Sequence, residues 1–145
     1  MPPEDEYAPS PTAWVRNAVE KIEKTGSTSA AGFGGRGVVL LTMRGAKSGK
    51  VRKVPVMRVE HDGVYVAVAS LGGSPKNPVW YYNLKADPIV QLQDGEETGE
   101  YVAREIEGEE YELWWKRSVA AYPDYAEYQK KTIRKIPQFV LEPVQ

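Results

Sequence analysis

The chain has 145 residues, 19 lysines and arginines against 20 acids, no cysteine and one histidine. That length suits one domain burying about two-thirds of its unfolded surface. Disulfides and thiolate chemistry are excluded, no transition-metal centre is expected, and a net charge of −1 gives no overall footprint for nucleic acid. Residues 1–11 (MPPEDEYAPSP) are rich in proline and charge and read as a mobile tail before a single domain over 12–145. Thr12 can cap a helix over 12–25, with Trp14, Val15, Ala18, Val19 and Ile22 on one face and Gly26 at its end. Residues 26–37 are Gly/Ser/Ala-rich and read as a loop.

Residues 38–43 (VVLLTM) are a continuous apolar run of strand length, and 45–50 are a turn. Residues 54–60 and 64–70 alternate around His61-Asp62-Gly63, a hairpin signal, so three consecutive antiparallel strands are expected. Asn77-Pro78 opens a short helix, with Asn77 as its cap and Pro78 in the first turn, ending before Pro88. Residues 89–93 and 100–106 form a second hairpin around Asp94-Gly95. A helix over about 109–122 places Tyr111, Trp114, Trp115, Ser118 and Tyr122 along one stripe. A shorter helix follows Pro123, and 137–141 make a final strand. Five or six strands with added helices describe a mainly β, α+β domain, a small antiparallel barrel.

The charge is unevenly placed. Arg44, Lys47, Lys50, Arg52 and Lys53 fall within ten residues without an acid, so this segment suits an anion. Residues 94–112 carry nine acids against Arg104 and read as a solvated acidic face. No stretch approaches a membrane span, and the first residues hold no apolar run of signal-peptide type, so a cytoplasmic protein is expected.

Four segments could carry chemistry. In 44–53 two glycines allow tight backbone geometry, Lys47 and Arg52 supply charge, and Ser48 a hydroxyl. Alone, this segment is more simply a solvated basic turn. In 67–73 (AVASLGG) small residues let a flat ligand approach the backbone, and Ser70 could donate to developing charge; alone, this is an ordinary strand end. In 76–84 a helix N-terminus offers unpaired amides, and three adjacent aromatics cannot share one face; the plain alternative is a core-packing helix. In 122–128 Tyr122, Tyr125 and Tyr128 offer apolar walls with hydroxyl tips, or simply the packed edge of a surface helix. No GxGxxG follows a strand, and no nucleophile–base pair or apolar carboxylate pair is evident. An enzyme of this sequence would leave the hard chemistry to a cofactor.

Taken together, the order G-x-K-S-G-x-x-R, V-A-x-A-S-x-G-G, K-N-P-x-W-Y-x-N-L-K-A-x-P and Y-P-x-Y-x-x-Y resembles the deazaflavin-dependent nitroreductase family of mycobacteria and other actinobacteria. The resemblance covers about residues 38–143. It implies a split β-barrel oxidoreductase that binds coenzyme F420 and passes hydride to a quinone-like acceptor of the menaquinone or menadione class, some members also activating nitroimidazoles. Carried over, Ala46, Lys47, Ser48 and Arg52 would hold the phosphate side of the coenzyme, and Lys53, Val54, Pro55, Val56, Met57 and Arg58 would flank it. Val68, Ala69, Ser70 and Leu71 would line the deazaflavin. Val79, Trp80, Tyr81, Tyr82 and Asn83 would complete the site from the helix. Tyr125 would close over the coenzyme, with Tyr122, Tyr128 and Ser70 beside the acceptor as the catalytic set.

The resemblance further implies no nucleic-acid partner, a homodimer, and at most peripheral contact with the inner face of the membrane. Where nitroimidazole-reducing members carry a tyrosine, this chain has Met57, which donates no hydrogen bond. Two other classes stay open on the sequence: an FMN enzyme of the pyridoxamine-phosphate-oxidase type, and a non-catalytic lipid- or cofactor-binding barrel.

Overall fold

The structure, a computed structural model, describes residues 13–31 and 37–144. The expected tail, the Thr12 cap and residues 32–36 of the glycine-rich loop lie outside them. The elements are α1 (Ala13–Thr25), β1 (Val38–Arg44), β2 (Val51–Met57), β3 (Glu60–His61), β4 (Val64–Val68), α2 (Val79–Ala86), β5 (Ile89–Asp94), β6 (Glu97–Glu105), α3 (Gly108–Ala121), α4 (Asp124–Lys130) and β7 (Gln138–Pro143). Short 3-10 turns occupy Thr28–Ala31 and Leu71–Gly73.

The seven strands form one antiparallel sheet in the order β2-β1-β5-β6-β7-β4-β3. It curls into the half-barrel of the split-barrel fold. The three consecutive strands expected between residues 38 and 70 are a correction. β2 pairs with β1 at one edge, whereas the β3–β4 hairpin joins the far edge through β7. The run breaks at Arg58-Val59, and β2 starts at Val51 because the preceding turn lets Arg44 pair with Val51. Asp62 (φ 52°) and Gly63 (φ 80°) are both left-handed, as a two-residue hairpin requires.

Residue alternation explains why several strands are apolar throughout. Val39, Leu41 and Met43 of β1 face the interior core, which also holds Tyr65, Ala67, Leu92, Phe139 and Leu141. Leu40, on the opposite face, packs under α1 against Val15, Val19 and Ile22. β7 divides likewise: Phe139 and Leu141 point inward, and Val140 joins the outer cluster beneath α3 and α4. In α2, Trp80, Tyr81 and Leu84 turn onto the interior core. Val79 and Tyr82 stay exposed, as three adjacent aromatics on a helix demand.

The acidic stretch 94–112 is not simply solvated. Asp94 takes both bonds of Arg58, Glu105 pairs with Lys85, and Glu110 receives the fork of Arg104.

Phe139 sits 2% exposed on β7, its ring 5.4 Å from Tyr81 and 6.3 Å from Trp80. Replacing it removes the contact between the central strand and α2. Phe139→Ala is expected to cost roughly 3–5 kcal/mol in urea unfolding. A loss below about 1 kcal/mol would show that α2 does not rest on this ring.

Candidate functional site

The basic turn between β1 and β2 is closed by Gly45 N–H on Lys50 O (2.8 Å), Gly49 N–H on Gly45 O (3.0 Å) and Lys50 N–H on Ser48 Oγ (3.1 Å). Arg44 Nη1 also donates to Gly49 O at 2.8 Å. The turn is fixed to α2 by one buried side chain. Asn83, 5% exposed, accepts the Ala46 N–H on Oδ1 at 2.9 Å and turns Nδ2 toward Met43 Sδ at 3.8 Å. Lys47 and Ser48 are left facing solvent at the tip.

The rest of the expected 52–58 run divides between faces. Register places Arg52 opposite Met43 and Val54 opposite Leu41, on the interior side with Val56. Lys53 and Pro55 lie on the α1 side, where Lys53 Nζ pairs with Glu23 at 3.0 Å. Met57 packs into the outer cluster. Arg58 lies at the opposite end of the β1–β2 hairpin from the turn, held by Asp94 at 2.8 and 3.0 Å. The structure therefore does not bring Lys53 and Arg58 to the turn. The period-2 pleat turns Lys53 away, and strand length removes Arg58 by about 20 Å.

At the end of β4, Val68, Ala69 and Ser70 are buried, whereas Leu71 is 52% exposed with φ 45°. Gly73 follows at φ 85°. A Cβ there would lie 2.8 Å from Tyr128 O, so the loop packs directly on the end of α4. A substituted residue 73 would be strained in both backbone and packing.

The tyrosine trio comes together as the sequence suggests. The hydroxyls of Tyr122 and Tyr128 share a 3.0 Å hydrogen bond. Tyr125 packs edge-on to both rings at 5.0 and 6.2 Å. Burial, with the Tyr128 and Asp124 hydrogen bonds, raises the Tyr122 phenol well above its usual range, and burial does the same to Tyr125. These groups remain protonated donors at neutral pH. They form part of the outer cluster with Val68, Met57 and Trp115.

Two residues tie these parts together, one of them missed by the sequence reading. Asn83 was expected to complete the coenzyme site from the helix, and its side chain anchors the turn. Arg134 carried no expectation. It donates to Ala69 O (3.1 Å), Ser70 O (2.7 Å), Ser74 O (2.9 Å) and Asn77 Oδ1 (2.9 Å). Asn77 is therefore not the helix cap, a second correction. Pro78 takes that position, extended at φ −64° and ψ 156°, with no side-chain cap. No local pattern around residues 132–136 announces such a role; only the docking of β7 brings it there.

Two clefts of about 500 and 380 Å³ are lined by Lys85, Glu105, Tyr111 and Lys135, and by Tyr65, Asp94, Glu97 and Tyr101. Neither includes an expected site residue. The expected residues instead expose Lys47, Ser48, Leu71, Val79 and Tyr82 around the start of α2 and the basic turn. Among the described residues no carboxylate pairs with Lys47, Lys76 or Arg134, and all three lie on segments joined to α2. No group of His and acids there could hold a metal, and no helix is long and apolar enough to cross a membrane.

A curled antiparallel half-barrel with basic and aromatic segments gathered around one short helix defines a split-barrel reductase. A family profile described as F420H(2)-dependent quinone reductase matches residues 14–143, and the chain belongs to that family. It is 33% identical over 106 residues to an F420H(2)-dependent quinone reductase of Mycobacterium tuberculosis, with 71% of each chain covered. A solved F420-H2 dependent reductase, FDR-A, is 59% identical, with TM-score 0.69, covering 72% of this chain and 93% of that one. A structure described as a domain-swapped dimer is 55% identical, with TM-score 0.73, covering 92% and 100%. The chain is thus an oxidoreductase whose coenzyme is F420. An anionic tail fits the donor set, because Lys47 and Lys76 meet no carboxylate among the described residues.

Buried phenols make stability alkali-sensitive. The Tyr111 phenol is pushed up to about 12 by burial, and Tyr122 and Tyr125 shift the same way. A raised native value keeps its stabilisation below the unfolded value of about 10 and loses it as pH rises beyond. Phenolate absorbance from these tyrosines is expected to appear together with loss of far-UV circular dichroism above about pH 10. Ionisation of all nine tyrosines in a still-folded chain would contradict this.

Proposed function

We propose that this chain reduces a quinone-like acceptor with F420H2 at a site formed by the basic turn, the end of β4, the start of α2 and the α4 tyrosines. Bound F420 supplies hydride chemistry. The chain's own residues hold, orient and shield. Lys47, Ser48 and Arg52 grip the anionic tail, with Lys76 beside the first turn of α2. Ala69 and Ser70, small and buried, border the flat ring, and the exposed Val79 and Tyr82, one helical turn apart, flank it from the helix. The Ser70 hydroxyl and the Tyr122–Tyr128 hydroxyl pair serve as hydrogen-bond donors to an acceptor oxygen gaining charge, and Tyr125 keeps water from that side.

The observation that carries this reading is that, among the described residues, Lys47 and Lys76 beside α2 meet no carboxylate. Lys53 and Arg58, held by Glu23 and Asp94, are left out of the tail site. Met57 lies in the tyrosine cluster and offers no donor, so the reading does not extend to nitroimidazoles.

Mixing the protein with reduced F420 and menadione should regenerate oxidised deazaflavin absorbance. Lys47→Ala with Arg52→Ala should weaken F420 binding by about tenfold or more, and high salt should weaken the wild type. Calorimetry showing no F420 binding in dilute buffer, or binding indifferent to both substitutions, would overturn the site.

The domain-swapped neighbour supports a homodimer for this chain. Light scattering is expected to give twice the 16.2 kDa chain mass. A single-chain mass at all concentrations would remove the dimer.

A further inference from the structure

Arg134 is bonded in a way that a structural surface arginine is not. Its Nε, Nη1 and Nη2 all donate, and every acceptor is neutral: three backbone carbonyls and one amide oxygen, all between Ala69 and Asn77. A planar fork matches that spread of acceptors, and a lysine cannot. Burial holds the guanidinium below its usual value.

The bonded segment matters to the site. It begins with Ala69 and Ser70 and ends at Asn77, next to the N-cap of α2. Within it Leu71 stands at φ 45°, a region that L residues rarely occupy unless the surroundings impose it. Arg134 takes the carbonyls on either side of Ser70 N–Cα–C. Both peptide planes are thereby set, since each is rigid and trans. The direction of the Ser70 side chain follows from them.

We propose that Arg134 is a positioning residue for hydride transfer: by binding Ala69, Ser70, Ser74 and Asn77 at once, it fixes Ser70 and the start of α2 relative to each other. The inference rests on the coenzyme reading above and adds to it a residue that touches neither coenzyme nor acceptor.

The test uses the full chain, oxidised F420 titrated by fluorescence, and turnover of reduced F420 with menadione. Arg134→Lys keeps the charge and loses the fork. Where circular dichroism shows it folded, its F420 Kd is expected to rise about tenfold. Its kcat should fall about a hundredfold while the KM for menadione holds. Millimolar methylguanidinium should restore turnover to folded Arg134→Ala, which a role in stability alone would not produce. A folded Arg134→Lys with wild-type Kd and kcat overturns the inference. If neither variant folds, amide exchange in the wild type decides. Slowing across residues 69–77 on F420 binding supports the clamp, and no change there overturns it. A wild type that binds no F420 defeats the coenzyme reading itself. Normal wild-type binding with unaffected variants defeats only the role of Arg134.

Discussion

The site depends on where the last strand goes. β7 enters between β6 and β4, pairing Tyr65 with Leu141 on one side and Ala103 with the same Leu141 on the other. It is buried on both faces, so one strand supplies Phe139 to the interior core and Val140 to the outer one. A strand placed so deep fixes the preceding segment as well. That segment carries Arg134, and Ala69 N–H closes it with a bond to Pro137 O at 2.9 Å.

From there a line of specific contacts crosses the molecule. Arg134 ties the end of β4 to Asn77, α2 runs on to Asn83, and Asn83 holds the Ala46 amide of the basic turn. On the other side Gly73 seats the same loop on α4 and its tyrosines. Segments separated along the chain are brought together by a few part-buried hydrogen bonds. Among the described residues Lys47 and Lys76 meet no carboxylate, while Lys53 and Arg58 are neutralised by Glu23 and Asp94.

Much of this was legible from residues alone because it is local. Gly26 stops α1, the Asp62-Gly63 turn has the left-handed geometry its composition favours, and the α3 stripe buries Tyr111, Trp114 and Ser118. The aromatic run in α2 had to send one ring outward, and Tyr82 is that ring. What stayed hidden is long-range. Neighbouring strands in sequence suggested neighbours in space, yet the β3–β4 hairpin pairs through β7, a partner that no short window contains. Asn77 before a proline looked like a cap, but an arginine 57 positions later claims its oxygen. Lys53 could have been separated from Arg52 by the pleat; that Glu23 would meet it could not.

The position of β7 also sets an order in time. During synthesis the ribosome releases the N-terminal elements first, so β1, β2, β5 and β6 can assemble while the C-terminal residues are still in the exit tunnel. The β3–β4 hairpin has no place in the sheet until that segment arrives. The end of β4 is therefore seated only once β7 has joined the sheet, and a chain cut short before β7 would carry the basic turn and α2 without that strand end beside them.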